Sequence, residues 1–242
     1  MTSVRKHYDS FLAEHYSWMF GDFHAKVQEN KDFFNLIGIE PRFGGKALDL
    51  GCGSGFQSIA LAKLGFRVLA VDACEALLNE LRHRSAGRDI VAAQGDILDA
   101  SIYADVGPFE VAVCMGDTLT HLQKTQEVAA LFANIYPTLE PGGILVLSFR
   151  DLTAELKRID RIIPVRSDDE KLMATFLEYG ETRVNVHDII FVRGDSGWDL
   201  KKSTYKKLRI GRHHVQDFLE HLDFKIISSE VKEGFSVIIA EK

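Results

Sequence analysis

Three carboxylates stand in the first half of the chain, each close to the end of a short apolar run. Asp49 precedes a glycine-rich loop at residues 51–55, Asp72 ends the next apolar run, and Asp96 follows the third. Glycines let the backbone turn tightly and let a ligand lie against it. A carboxylate about 20 residues beyond such a loop can accept both hydroxyls of a ribose. These residues predict a site for an adenosine-type cofactor.

The spacing of the glycines distinguishes between cofactors. Residues 51–55 read G-x-G-x-G, whereas loops that cradle a dinucleotide pyrophosphate read G-x-G-x-x-G. The carboxylate of Asp49 would repel a pyrophosphate and attract the ammonium of a methionine moiety. Asp96 lies where an adenine amino group could donate to it. The alternative interpretation is that Asp72 and Asp96 only cap helices or turns.

A fourth apolar run ends at Cys114, and the loop after it should face the reacting group, because ligands bind outside the carboxyl ends of such strands. Asp117 or His121 could take a proton from an acceptor amine, directly or through water. Arg150 could hold a substrate carboxylate in a bidentate fork. Two alternatives stay open: Asp117 or Thr118 caps the following helix, and Arg150 is an ordinary surface or ion-paired arginine.

Alternating strands and helices must position these residues. Such alternation is typical of βαβ units and a parallel sheet. Residues 8–34 read as helical, and Tyr8, Tyr16 and Trp18 lie there. The predicted strands are 46–50, 66–71, 89–93, 109–114 and 144–149, and the helices between them are 54–64, 74–84 and 122–139.

The alternation changes after Arg150. Consecutive strands predicted at 171–179, 182–193 and 198–210 have no helix between them and must pair antiparallel. A helix at 212–222 and two closely linked strands at 224–231 and 235–240 end the chain. The expected α/β fold is a seven-stranded mixed sheet with its last strand antiparallel, N-terminal helices, and a small antiparallel β lobe inserted before the last helix. We expect four parts: a helical cap (1–40), a cofactor-binding core (41–150), the β lobe on the substrate side (151–210), and the end of the core sheet (211–242).

Residues 47–56, with Asp72 and Asp96, resemble the motif of class I S-adenosylmethionine-dependent methyltransferases. The resemblance covers residues 46–149 and implies that family's Rossmann-like sheet. It implies S-adenosyl-L-methionine as the cofactor and S-adenosyl-L-homocysteine as the product. The cofactor-binding residues that it implies are Tyr16, Asp49, Gly51, Gly53, Gly55, Asp72, Ala73, Asp96, Ile97 and Met115.

The same resemblance implies a role for each of the main cofactor residues. The glycines would lie under the methionine part, and Asp49 would hold their loop and the amino group. Asp72 would bind the ribose, and Asp96 with the backbone of Ile97 would contact the adenine. Tyr16 would cover the methionine part, although packing alone would also explain that aromatic residue.

Residues 113–122 and 141–150 look like the glycine and sarcosine N-methyltransferase group, and amino-sugar N-methyltransferases are broadly similar. The likeness implies site roles for Asp117 and His121, and an Arg150 that grips the substrate carboxylate. The chain departs from the group at Asp117, which replaces an amide. We expect this acid to repel a small carboxylate and attract an ammonium, which puts glycine itself in doubt.

Composition narrows the function classes. Of 242 residues, 46% are hydrophobic and 26% are charged, as in soluble globular proteins. No apolar run approaches the ~20 residues of a membrane span, and the first residues are polar, so a cytoplasmic location is expected. Three scattered cysteines, Cys52, Cys74 and Cys114, predict neither a disulfide framework nor a zinc site, and we predict no metal.

The net charge of −6 and the absence of nucleobase-methylase motifs make nucleic acid an unlikely partner, although basic residues cluster between Lys201 and Arg212. The prediction is therefore a methyltransferase acting on a small molecule, most simply an amine. An O-methyltransferase, a non-catalytic S-adenosylmethionine-binding protein and an RNA methyltransferase are the alternatives. The sequence indicates no particular oligomeric state.

Overall fold

The computed structural model describes residues 3–242 and confirms the predicted α/β fold. Within that range the strands are β1 (Lys46–Leu50), β2 (Arg67–Asp72), β3 (Ile90–Gln94), β4 (Phe109–Cys114), β5 (Leu139–Phe149), β6 (Ile162–Ser167), β7 (Lys171–Tyr179), β8 (Arg183–Gly194), β9 (Gly197–Leu208), β10 (Lys225–Lys232) and β11 (Phe235–Glu241). The first sheet has the order β10-β11-β5-β4-β1-β2-β3. Its strand β11 is antiparallel to both neighbours, and the other six strands are parallel.

Helices cover both faces of this sheet, which is why its central strands are apolar throughout. Every residue of β4 is buried. The α-helices in the described range are α1 (Ser3–His7), α2 (Tyr16–Met19), α3 (Phe23–Leu36), α4 (Phe56–Lys63), α5 (Glu75–Arg84), α6 (Thr125–Ile135) and α7 (Arg212–Glu220). Two apolar cores result, one on each face, and they hold the carboxyl ends of the central strands in register. No helix in residues 3–242 is long and apolar enough to cross a membrane.

The N-terminal segment is less regular than the predicted helix over residues 8–34. Residues Tyr8–Leu12 wind as a π-helix and Ala13–His15 as a 3-10 turn, and α2 ends just before Gly21. Helix α3 begins regularly, because the side chain of Asp22 accepts a hydrogen bond from the Ala25 amide at 2.7 Å. Short π segments are rare and often occur at functional sites, and this one carries aromatic rings towards the candidate site.

The β lobe is a separate antiparallel sheet of order β6-β7-β8-β9 between β5 and α7. The sequence pattern predicts three of its strands but not β6, where Pro164 interrupts the run. A proline cannot donate to a strand ladder, so it argues against a strand unless that strand lies at an edge. Strand β6 is the edge of this sheet and has a register shift after Pro164, which accommodates the proline.

A buried carboxylate fastens the loop before β1 to the core. Glu110 on β4 is 4% exposed and accepts hydrogen bonds from the amides of Arg42, Phe43 and Gly45 at 2.6, 3.0 and 2.5 Å. Burial alone would raise the pKa of Glu110, but these amides outweigh it and hold the pKa below the ordinary glutamate value.

Glu110→Gln is therefore expected to lower the free energy of unfolding by about 1–3 kcal/mol near neutral pH, since one oxygen acceptor becomes an amide donor. Because the folded-state pKa is depressed, the carboxylate stabilises fully above the ordinary glutamate pKa and loses this contribution as pH falls through the folded value. Urea unfolding of both proteins near neutral pH and below about pH 4 measures the difference. If the difference in unfolding free energy between wild type and Glu110→Gln stayed constant as the pH fell, the result would contradict this explanation.

Candidate active site

The glycine loop joins β1 to α4 in backbone conformations that suit glycine. Gly51, Gly53 and Gly55 have φ angles of +76°, +53° and +94°, which side-chain-bearing residues rarely adopt. A Cβ on Gly51 would lie 2.3 Å from the Thr118 side chain, so the loop after β4 rests directly on the glycine loop. The predicted cofactor loop and the predicted acceptor loop are thus in contact.

The carboxylate of Asp72 ends β2 beside this loop, as the sequence predicts. It accepts hydrogen bonds from the amides of Gly53 and Cys74, both at 2.8 Å, and Ala73 lies between β2 and α5. Burial raises the pKa of Asp72 although these amides oppose the shift. A partly desolvated carboxylate gains from further donors such as ribose hydroxyls. Capping and cofactor binding are therefore compatible roles for this residue.

Asp49 lies deeper and faces α4. It is 1% exposed and accepts a hydrogen bond from the Ser58 hydroxyl at 2.5 Å. Burial raises its pKa to about 7, against the effect of Ser58, and the nearby Asp72 carboxylate raises it further. The structure places Asp49 where it ties β1 to α4, the two elements that the glycine loop connects, and its role towards a cofactor stays a prediction.

The remaining cofactor candidates occupy the same edge of the sheet. Asp96 is exposed after β3 and accepts from the amide of Leu98 at 3.0 Å, while Ile97 is buried beside it. Met115 is half-buried directly after β4. The Asp96 carboxylate therefore caps its own turn and still has an exposed oxygen face for a ligand donor.

Tyrosine rings of the N-terminal segment cover this edge. The Tyr16 hydroxyl would lie 3.0 Å from a Cβ on Gly53, and its ring packs between Phe20 and Phe56. Burial raises the pKa of Tyr16 and of Tyr8, with the Asp72 carboxylate adding to both shifts. Both hydroxyls stay protonated and can donate hydrogen bonds in the cleft. Trp18, by contrast, faces the β lobe, where its indole donates to Asp168 at 2.5 Å.

An ion-pair cluster forms the acceptor side. Asp117 accepts hydrogen bonds from the Arg150 guanidinium and from the Lys207 ammonium, the latter at 2.6 Å, and its side chain is 12% exposed. Burial would raise the pKa of Asp117, but Lys207 and Arg150 outweigh it and hold the pKa far below the ordinary aspartate value. Asp117 is therefore a permanent anion that makes a poor general base. Two cations already neutralise it, so it attracts a substrate ammonium less than the sequence suggests.

His121 lies at the end of the 3-10 turn Thr118–His121, between the rings of Tyr8 and Tyr205 at centroid distances of 5.6 and 5.8 Å. Its Nε2 is buried and has no hydrogen-bond partner among residues 3–242. Burial lowers the pKa of His121 to about 3, and the Lys207 ammonium contributes in the same direction. The imidazole is neutral, so it acts as a hydrogen-bond acceptor or donor more readily than as a strong base.

Lys207 is a site residue that the sequence indicates only as part of a basic cluster. Its alternation with Tyr205 along β9 places both side chains on the inner face, and this period-2 pattern was the available signal. Three other basic residues of 201–212 make contacts of their own elsewhere. Lys201 pairs with Glu14, Arg209 with Glu155, and Arg212 with the Ser229 carbonyl.

Three other polar side chains of the β lobe lie in different places. Tyr205 joins the site, whereas His187 is on the outer face beside Glu178 and Tyr179 lies under the Arg209 guanidinium. The side chains of Cys52, Cys74 and Cys114 are buried free thiols, and burial raises the pKa of each, so none is a reactive thiolate. Within residues 3–242 no group of three potential ligand side chains is arranged to hold a metal ion.

Comparison with known proteins identifies relatives of this arrangement. Residues 47–143 match the family described as Methyltransferase domain. The chain is 38% identical over 118 residues to the cypemycin N-terminal methyltransferase of a Streptomyces species, a match covering 49% of this chain and 46% of that protein. It is 31% identical over 134 residues to the glycine/sarcosine N-methyltransferase of Parasynechococcus marenigrum (strain WH8102), covering 54% and 46%. These matches span about half the length of the curated relatives.

The whole fold also has solved counterparts. The structure of S-adenosylmethionine-bound CalS10, an amino pentose methyltransferase from Micromonospora echinaspora, superposes with a TM-score of 0.76 and 18% identity. The superposition covers 94% of this chain and 95% of that one, so the N-terminal segment and β lobe are included. At this level of identity the likeness establishes the fold.

Proposed function

We propose that this chain, whose residues 47–143 match the family described as Methyltransferase domain, is a class I S-adenosylmethionine-dependent methyltransferase that transfers a methyl group to the nitrogen of a small-molecule amine. One observation carries the proposal: Thr118 of the acceptor loop lies against Gly51 of the glycine loop. Groups that would bind the donor and groups that would bind the acceptor therefore meet at one edge of the sheet. Alignment of two reactants at such a junction can supply ~7–11 kcal/mol of the barrier.

The residues at this edge fit S-adenosylmethionine. A glycine loop that has no room for a Cβ can lie under the methionine part, and the Asp72 carboxylate can accept the ribose hydroxyls. Asp96, with the Ile97 backbone, would contact the adenine, and Tyr16 would cover the methionine part. When bound, this cofactor supplies an electrophilic methyl group on a sulfonium, a good leaving group. The protein's remaining task is to orient the acceptor and exclude water.

The acceptor groups suit an amine better than an alcohol. An alcohol needs a strong base to attack, and neither the ion-paired Asp117 nor the weakly basic His121 provides one. A neutral amine has its own lone pair and needs only orientation. His121 Nε2 can accept an N–H from it, while Arg150 and Lys207 leave one surplus positive charge that suits a carboxylate on the same molecule. The names of the relatives are consistent with a nitrogen acceptor, since they describe N-terminal, glycine/sarcosine and amino pentose methyltransferases.

Neither Asp117 nor His121 should contribute a limb to the pH profile of methyl transfer. The pKa of His121 is about 3, and the pKa of Asp117 is held far below the ordinary aspartate value. Neither side chain therefore changes charge between about pH 5 and 9. We expect kcat/KM to rise with pH until the acceptor's own ammonium is deprotonated, and His121→Asn to lower kcat without moving that limb. A limb near the ordinary histidine pKa that disappears in His121→Asn would contradict this mechanism.

The proposal is tested with S-adenosylmethionine carrying a labelled methyl group and a pool of amino acids, N-methylglycines, short peptides, amino sugars, phenols and total RNA. Label in an amine supports the proposal and identifies the substrate class. Label in a phenol indicates an O-methyltransferase, and label in RNA indicates the nucleic-acid alternative. Cofactor binding without transfer to any member, in the pool or in a cell extract, would contradict the proposed transfer.

A further inference from the structure

A buried pair of polar side chains joins the first helix to the β lobe. His7 at the end of α1 is 1% exposed and Asp188 on β8 is 3% exposed. His7 Nε2 lies 3.1 Å from Asp188 Oδ2, and both side chains are withdrawn from solvent. Burial of polar side chains is costly unless they are paired, and an apolar pair would often serve stability equally well. The pair therefore calls for an explanation other than stability.

The network around this pair fixes the orientation of the imidazole. The Thr175 hydroxyl donates to Asp188 Oδ1 at 2.6 Å, and the His7 Nδ1 lies 2.8 Å from the Ser203 hydroxyl. Each of the three lobe residues comes from a different strand, β7, β8 and β9. The Nδ1 of His7 is thus hydrogen-bonded to the lobe, while its Nε2 faces the Asp188 carboxylate without forming a hydrogen bond of regular geometry. Rotation of the ring would break the first contact and lengthen the second.

The imidazole in turn contacts the candidate acceptor site. It stacks on the ring of Tyr205 with a centroid distance of 4.2 Å and an interplanar angle of 21°. Tyr205 meets His121 edge-on at 5.8 Å, and Tyr8, the next residue after His7, meets His121 from another side at 5.6 Å. Fixing His7 therefore fixes both rings that flank His121.

We propose that His7 is a positioning residue of the acceptor site, which, through its buried pair with Asp188, holds Tyr205 and Tyr8 on two sides of His121. The expected kinetic effect of this role rests on the proposed methyl transfer, whereas the geometric role of His7 does not. The acceptor site is then formed by residues of both the N-terminal segment and the β lobe. Neither His7 nor Asp188 needs to touch substrate for this role.

The test compares His7→Ala with two other variants. His7→Gln keeps a planar group that can donate to Asp188, and it should restore much of the lost function. Leu219→Ala is the matched control: Leu219 is also buried, but it lies on α7 in the apolar core that includes neither Tyr8 nor Tyr205. If both alanine variants destabilise the protein similarly, only His7→Ala should disturb the acceptor site.

Two measurements decide the matter. For the amine found in the pooled assay, His7→Ala should raise KM at least about tenfold, whereas the dissociation constant of S-adenosyl-L-homocysteine should change by less than about threefold. By NMR, the ring protons of His121 should shift in His7→Ala, because the His121 ring lies beside the Tyr8 and Tyr205 rings, and should stay in place in Leu219→Ala. This second readout requires no acceptor.

The outcomes separate this inference from the proposed function. If wild-type protein methylates nothing but the His121 signals move only in His7→Ala, the proposed function fails and the positioning role stands. Unmoved His121 signals in His7→Ala would overturn the inference. Equal changes in His7→Ala and Leu219→Ala, without recovery in His7→Gln, would also overturn it, because they would show a merely structural role.

Discussion

Asp72→Ala should weaken the binding of S-adenosyl-L-homocysteine by at least about 100-fold. A carboxylate that accepts two ribose hydroxyls makes two charge-assisted hydrogen bonds, each worth about 1.5–3 kcal/mol. Since ~1.4 kcal/mol corresponds to a tenfold change in affinity, their loss exceeds two orders of magnitude. The variant also frees the amides of Gly53 and Cys74, which loosens the glycine loop and acts in the same direction. Isothermal titration calorimetry measures the change.

Asp99→Ala is the matched control for Asp72→Ala. Asp99 also caps a turn, accepting from the Ser101 amide at 3.1 Å, but it is not among the candidate cofactor residues. Its loss should leave the affinity for S-adenosyl-L-homocysteine within about twofold of wild type, within ordinary surface effects. Asp72→Asn should fall between the two, because it keeps one oxygen acceptor. Unchanged affinity in Asp72→Ala would remove this residue from the cofactor site.

Gly51→Ala should weaken the binding of S-adenosyl-L-homocysteine about as much as Asp72→Ala does, but for a steric reason. At φ = +76° an alanine costs about 1–2 kcal/mol, and its Cβ would lie 2.3 Å from Thr118, which forces the two loops apart. We expect at least a ~100-fold loss of affinity for S-adenosyl-L-homocysteine and a lower thermal midpoint. The same calorimetric titration, with a thermal scan, measures both.

Gly38→Ala isolates the backbone contribution. Gly38 has a similar φ of +74° but has no atoms within 4 Å of a built Cβ, so only the conformational cost of about 1–2 kcal/mol applies. Its ligand affinity should be that of wild type. If Gly51→Ala binds S-adenosyl-L-homocysteine as tightly as Gly38→Ala does, the glycine loop does not lie under the ligand.

The core sheet was predictable because the apolar runs in its sequence coincide with its strands. Strands β1 and β4 have the predicted limits, since each is a short apolar run between turn residues and is buried on both faces. The edge strand β6 was missed because Pro164 interrupts its pattern, and only the finished sheet shows that this proline lies at an edge. The irregular winding of residues 8–15 likewise depends on packing against the lobe. The local periodicity of the sequence does not indicate this packing.

The cofactor side of the site was more predictable than the acceptor side. Asp72 and the glycine loop lie within one stretch of alternating strand and helix, so their spacing alone brings them together. Asp117 and Lys207 are distant in sequence and meet only when the lobe folds back onto the core. The low basicity of Asp117 follows from that contact, so a sequence-based assignment of it as a base could not anticipate the ion pairs.

The most direct test of the account follows the labelled methyl carbon of S-adenosylmethionine by NMR during incubation with the protein and the pooled acceptors. The account predicts that the sulfonium methyl signal declines while an N-methyl signal grows, at a rate that falls sharply in Asp72→Ala. An O-methyl signal would show that the acceptor atom is assigned wrongly. A sulfonium methyl signal that persists in the presence of wild-type protein and a cell's full complement of amines would contradict the central claim of methyl transfer.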